Sequence, residues 1–207
     1  MSTNAVNFGV TYMPTIKLGP MDQARRAEKL GFGVFWAPEF LSIPTLEPFS
    51  LLAGAAQHTK DIRLGTGVVG LALRSPFQIA KAALTVDLLS NGRLNLGLGI
   101  GGIVPKDLEL EGISFKERGK VSNERLNILH RLLTEKNVTH TGHYFQFEDL
   151  TIEPTSIQIP NIPIWIGARW TDKIAEGALR RCGMYGNTFI FPADTPKSFY
   201  LEIKKKV

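Results

Sequence analysis

IRLGTGVVGLALRSPFQIAKAALTVDLLSNGRLNLGLGIGG, residues 62–102, decides how the rest of the chain reads. Its order is strand, glycine-bearing turn, helix, strand, glycine-rich turn. Ile62–Val69 and Arg93–Gly99 are the strands. Ser75-Pro76 is the cap and first-turn signature of the helix, which runs to about Ser90 and is ended by Asn91-Gly92. Phe77, Ala80, Leu84 and Leu88 form one apolar stripe, and Ile79, Ala83, Val86 and Leu89 widen it. A face that broad predicts a helix covered on more than one side. Both strands end in glycine at the same end of the unit. Glycine lets backbone approach a flat ligand closely, so the stretch reads as the ligand-binding edge of a parallel α/β protein.

The rhythm extends in both directions. Val6–Thr11, Gly33–Ala37, Ile162–Gly167 and Gly186–Phe191 are strand-like. Pro20 starts a helix with Met21, Ala24, Ala27 and Leu30 on one face and Gly31 as its stop. Further helices read at Pro48–His58, Lys116–Thr134, Thr171–Arg181 and from Pro196 to Val207. In Lys116–Thr134 the expected buried residues are Val121, Ile128, Leu129, Leu132 and Leu133. Residues 103–116 read as a loop with a short helix, and 137–152, with His143, Phe145 and Phe147, as a hairpin. Strands alternating with helices predict βα units around a parallel sheet. Two architectures fit: an open doubly wound sheet, or a TIM-type (β/α) barrel lacking its last units. A closed barrel takes about 250 residues. This chain has 207, with an insertion at about 103–152, and reads as one domain over 1–207.

Composition narrows the function classes. At 43% hydrophobic and 21% charged residues the chain can bury one sizeable core. Its apolar runs break well short of the ~18 residues a membrane span needs. Residues 1–10 carry no basic start followed by an apolar block, so no signal peptide is expected. Cys182 is the single cysteine and has no internal partner. That fits a reducing cytoplasm and an inert helix residue. Net charge is +5, but the basic residues are scattered except for Lys204–Lys206, which read as a solvated end. With no basic stripe interleaved with aromatics, nucleic acid is not an expected partner.

Four segments are able to carry chemistry. Gly97-Leu98-Gly99-Ile100-Gly101-Gly102 formally matches G-x-G-x-x-G, but Pro105 and a charged, weakly periodic segment follow where a dinucleotide site needs a helix. It reads as a tight turn or as a strand end against which a planar ligand sits. Gly65-Thr66-Gly67-Val68 places two glycines in a strand, the sign of a bulge or of close backbone approach. Trp36-Ala37-Pro38-Glu39 ends a strand, so Glu39 is a site-facing acid in a barrel or else a surface carboxylate. Ile164 to Thr171 is strand running into helix, where Thr171 is an N-cap, an anion site, or both. His58, His130, His140 and His143 have no partners at metal-ligand spacing, so no metal is expected. No nucleophile elbow or P-loop is present, which counts against hydrolases and NTPases.

Together these segments resemble the bacterial luciferase-like monooxygenase family. The resemblance runs from Phe8 to about Phe191 and is carried by RAEKLGFGVFWAPE, IRLGTGVV, RSPFQIAKAALTVDLLSNGRLNLGLGIGG, FKERG, NERLNILHRLL, GHYFQFEDLTIEP and PNIPIWIGA. It implies a TIM-type barrel with about six of eight βα units, and an oxidoreductase acting on a small organic substrate with coenzyme F-420 or FMN. WAPE-x-LSIPT and LGTGVV look closest to the F-420 subgroup. The resemblance also implies a cis peptide at Gly67–Val68. The cofactor would meet Glu39, Thr66, Gly67, Val68, Gly99, Ile100, Gly101, Gly167, Ala168 and Thr171, with Glu39 the candidate catalytic acid. Many relatives follow that acid with His, whereas Phe40 here cannot donate or take a proton. The position of a phosphate-binding Arg in the FMN-using luciferase is Ile100, which favours F-420. A cytoplasmic homodimer is expected, because an open barrel leaves strand edges and apolar helix faces to cover. The alternative is a truncated, non-catalytic flavin-binding or fragmentary relative.

Overall fold

Proline opens four helices, its fixed φ and missing N–H being harmless in a first turn. In the computed structural model, which describes residues 8–14, 17–168, 176–192 and 195, these are α1 (Pro20–Lys29), α2 (Pro48–His58), α3 (Pro76–Leu89) and α4 (Pro105–Leu110). The longer α5 (Arg118–Thr134) and α6 (Glu176–Tyr185) follow. Between them run the strands β1 (Gly9–Thr11), β2 (Val34–Ala37), β3 (Arg63–Thr66), β4 (Val69–Gly70), β5 (Leu94–Gly99), β6 (Val138–Thr141), β7 (Gln146–Leu150), β8 (Ile164–Gly167) and β9 (Thr188–Ile190).

The main sheet is parallel, ordered β1-β2-β3-β5-β8-β9, with β4 continuing beside β5. Strand order follows chain order throughout. A doubly wound sheet reverses its order part-way, so the curled arc is that of a (β/α) barrel and the other reading falls. Within the described residues it is a half-barrel. Strands β6 and β7 form a separate antiparallel hairpin.

Alternation along the strands divides the sheet into two faces. Val10, Phe35, Leu64 and Leu94 share one register row and face the helices. There they pack with Leu52, Ala55, Ile79, Ala83, Ile128 and Leu129 in one apolar core. Thr11, Trp36, Gly65 and Asn95 form the adjacent row on the inner face. The helix-facing side therefore holds the larger apolar core, while the inner row is itself packed, with Trp36 and Asn95 buried, which leaves the strands' C-terminal edge for a site.

Some expectations are corrected. Leu88 and Leu89 are 39% and 46% exposed, not covered. The buried position in that last turn goes to Asp87, which accepts from the Ser156 hydroxyl, the Ile157 N–H and the Gln158 amide. Ser75 stands at the N-cap of α3 without a side-chain cap bond. The expected strand Ile62–Val69 is interrupted after Thr66. Helix α6 runs to Tyr185 rather than Arg181. Thr171, Val6 and the helix expected from Pro196 lie outside the described residues.

Candidate functional site

The interruption between β3 and β4 is a bulge. Gly65 pairs with Asn95 and Val69 with Leu98, so Thr66, Gly67 and Val68 stand opposite only Leu96 and Gly97. The Gly67–Val68 peptide is cis. The buried Thr66 hydroxyl donates to the Gly97 carbonyl and accepts the Gly97 N–H, both at 2.8 Å. Thr66 thus ties the bulge to β5 with its only polar group. A Cβ on Gly97 would run into the Thr66 carbonyl oxygen. The Val68 isopropyl group lies along the other glycines. A Cβ on Gly99 would come within 2.8 Å of Val68 Cγ2, and one on Gly167 within 3.2 Å of Val68 Cγ1. Missing side chains on β5 and β8 therefore make the seat of the bulge.

After the bulge the chain crosses the C-terminal edge of the sheet as a strap, residues 70–74. The Leu71 N–H donates to Gly99 O at 2.7 Å, its last bond to the sheet. Glu39, at the end of β2, points its carboxylate under this strap. Oε2 accepts the Gly70 N–H at 2.7 Å and Oε1 accepts Arg74 Nε. The Glu39 side chain is 1% exposed. Burial pushes its carboxyl above the usual carboxylate range, against the pull of Arg74 and the Gly70 N–H. Arg74 also reaches Glu47 at 2.8 Å. Glu47 caps α2, accepting the N–H groups of Phe49 and Ser50. From α5, Arg125 Nη1 donates to the carbonyls of Leu71 and Arg74 at 3.0 and 3.1 Å.

Beyond β5, Ile100, Gly101 and Gly102 are half-buried, and the two glycines have φ of 75° and 89°. That conformation suits glycine and keeps the turn low. Ala72, Leu73, Leu108 and Ile113 form a small second core that seats α4 on the strap. Asp107 on α4 accepts from the Leu41 and Ser42 N–H groups and the Ser42 hydroxyl. Burial would raise its carboxyl, but these bonds hold it below the usual range. Loops 40–47 and 103–116 are joined at this point. At the end of β8, Gly167 is half-buried and Ala168 buried, with its N–H bonded to Ile190 O at 3.0 Å.

Thr66, Gly67, Val68, Gly99, Ile100, Gly101, Gly167 and Ala168 therefore occupy neighbouring strand ends at one edge of the sheet. Thr66 and Glu39 have their polar atoms engaged within the protein. Sequence reasoning missed Trp36 and Trp165, whose rings meet edge to face with centroids 5.2 Å apart on the inner face. It also missed Arg74, Arg125 and Asp107. The available signal was glycine. Trp36 lies against Gly9, Gly65 and Gly67, whose missing side chains leave room for the indole. His140 and His143 both meet Glu124, but among the described residues no three His, Cys, Asp or Glu converge on a metal position. Among those residues no helix is long and apolar enough to cross a membrane.

Comparison with known proteins places this edge in a family context. The family model for luciferase-like monooxygenases matches residues 20–203. The chain belongs to the luciferase-like monooxygenase family. Its curated relatives include the 4-hydroxyprotoasukamycin monooxygenase of Streptomyces nodosus subsp. asukaensis. That protein is 29% identical over 87% of this chain and 51% of its own length. The chain spans about half the length of the curated relatives it matches. Monooxygenase RslO1 of Streptomyces bottropensis superposes with a TM-score of 0.78 at 26% identity, over 93% of this chain and 62% of that one. The coenzyme F420 dependent tetrahydromethanopterin reductase of Methanopyrus kandleri matches in fold. Its TM-score is 0.77 at 24% identity, over 97% of this chain and 59% of that one. Within this luciferase-like family member, the bulge and the glycine ends form the candidate cofactor edge.

Proposed function

We propose that this luciferase-like chain carries the cofactor edge of an oxidoreductase that acts on a small organic substrate. Coenzyme F-420 is the preferred cofactor and FMN the second. The observation that carries this is the bulge seated on Gly97, Gly99 and Gly167 at the C-terminal edge of the parallel strands. A ring system needs a wall where backbone is brought forward, and the bulge, packed through Val68 onto these glycines, is such a wall. Gly67, Val68, Gly99, Ile100, Gly101, Gly167 and Ala168 would hold the ring, with Thr171 a further proposed contact. Preference for F-420 rests on the resemblance of WAPEFLSIPT and LGTGVV to that subgroup and on Ile100 in place of a phosphate-binding Arg. FMN is kept because the family model describes monooxygenases.

A bound deazaflavin supplies two-electron hydride chemistry, and a reduced flavin adds reaction with oxygen. The chain's own residues orient and enclose. Gly67 and Val68 offer backbone to a ring face, and the apolar Phe40 gives no proton route where relatives have His. Loops 40–47 and 103–116, tied by Asp107, stand above the strap and are the proposed substrate walls. A homodimer is the proposed assembly, and sedimentation equilibrium tests it: a monomer at assay concentration contradicts it.

Equilibrium dialysis of the purified chain against oxidised F-420 and against FMN tests the cofactor. Saturable binding of F-420, with weaker FMN, is expected. Binding of neither refutes the proposal, and tighter FMN reverses the preference.

A further inference from the structure

The strap that follows the bulge is held by charge as well as by the burial of Leu71, Ala72 and Leu73. Up to Gly70 the backbone ladder to β5 fixes the chain, and the Leu71 N–H makes one further bond to Gly99 O. Residues 71–74 then leave the sheet. From there three elements grip them. The end of β2 provides Glu39, for the Gly70 N–H and Arg74 Nε. The N-cap of α2 provides Glu47, for Arg74 Nη2. Helix α5 provides Arg125, which takes the Leu71 and Arg74 carbonyls on one nitrogen.

Stability alone is a poor reason for this arrangement. Removing two charges from water costs several kcal/mol per ion, and packed apolar side chains of similar volume often serve stability better. What an ion pair with directed hydrogen bonds does supply is a fixed geometry. Glu39 also has both carboxylate oxygens engaged and its side chain out of solvent. A group so placed is ill-suited to exchange protons with a substrate.

We infer that Glu39, Arg74 and Arg125 are positioning residues that clamp the strap, and so hold the Val68 bulge at the height where a cofactor ring meets backbone. Glu39 then acts through Gly70 and Arg74 rather than by touching the reacting atoms. The inference rests on the proposed cofactor edge, but the clamp itself is measurable without cofactor.

The test is amide hydrogen exchange over residues 67–74 in the cofactor-free chain, paired with dissociation constants for F-420, in wild type, Glu39→Gln, Arg74→Lys and Arg125→Lys. Glu39→Gln keeps an acceptor for Gly70 but loses the charge that orders Arg74. It is expected to raise exchange in the strap by about tenfold and to weaken F-420 by a similar factor, with unchanged far-UV circular dichroism. Arg74→Lys keeps the charge without the fork that spans two carboxylates, so an intermediate effect is expected. Arg125→Lys gives an independent reading should Glu39→Gln fail to fold. Unchanged strap exchange in the folded variants overturns the clamp. Raised exchange with unchanged affinity overturns its link to the cofactor. A Glu39→Gln variant that binds normally but shifts the pH profile of turnover makes Glu39 an acid or base, which also overturns it. Wild type that binds neither cofactor refutes the proposed function instead, and strap exchange then decides the clamp alone.

Discussion

Gly97 has no room for a methyl group, because its Cβ would meet the Thr66 carbonyl oxygen, a backbone atom that cannot rotate away. Gly99→Ala meets only the tip of Val68, a side chain able to turn. Gly97→Ala is therefore expected to cost about 1–3 kcal/mol of stability, and Gly99→Ala clearly less, as read from urea midpoints. Equal losses would contradict the seat described for the bulge. At this scale the sequence was readable where the signal was local. Two glycines in LGTGVV pointed to a bulge or close backbone approach, and GLGIG to a strand end whose glycines let another group approach backbone. It marked Glu39 as a site-facing acid but not what that acid does, because what a carboxylate does depends on its partners. Gly70 and Arg74 lie 31 and 35 residues further on. Nothing in WAPEF tells a reader that both oxygens turn inward.

Elements show the same division. Proline starts placed α1, α2 and α3 closely, and glycine stops the ends of α1 and α3, since those signals act on the backbone of the same turn. Leu88 and Leu89 misled because an apolar stripe cannot reveal that the neighbouring loop brings Ser156, Ile157 and Gln158 to Asp87. The β6–β7 hairpin has a comparable anchor. Glu124 on α5 accepts the N–H groups of His143, Tyr144 and Phe145 and faces His140 Nε2 at 3.3 Å. Burial alone would raise its carboxyl, but these bonds bring it below the usual glutamate value. A lowered pKa in the fold means that the stabilisation is present above the unfolded value, about 4.3, and is lost as pH falls through the folded value. Acid is thus expected to loosen the hairpin first in that window. Glu124→Ala is expected to loosen it at neutral pH, at a cost of about 2 kcal/mol. Hydrogen exchange at residues 142–146 checks both, and exchange that ignores pH and substitution alike would contradict the anchor.

In the whole molecule, strand order and glycine placement tell one story. The sheet runs in chain order from β1 to β9, so the strands' C-terminal ends gather on one edge. The glycine-bearing ends of β5 and β8, together with the bulge, fall on that edge and nowhere else among the described residues. From the elements alone the βα rhythm was legible but not whether the sheet was curled or doubly wound; the barrel came from the family resemblance of the motifs. Both architectures use the same local elements and differ only in which strands become neighbours. The central claim is that this edge receives a planar cofactor. It is tested most directly by titrating F-420 into wild type and Gly99→Val while following tryptophan emission, since Trp36 and Trp165 lie on the inner face of the same sheet. The account predicts saturable quenching by wild type and at least about tenfold weaker binding by the folded Gly99→Val, whose added side chain displaces Val68. Equal binding by the two proteins, or none by wild type, would contradict it.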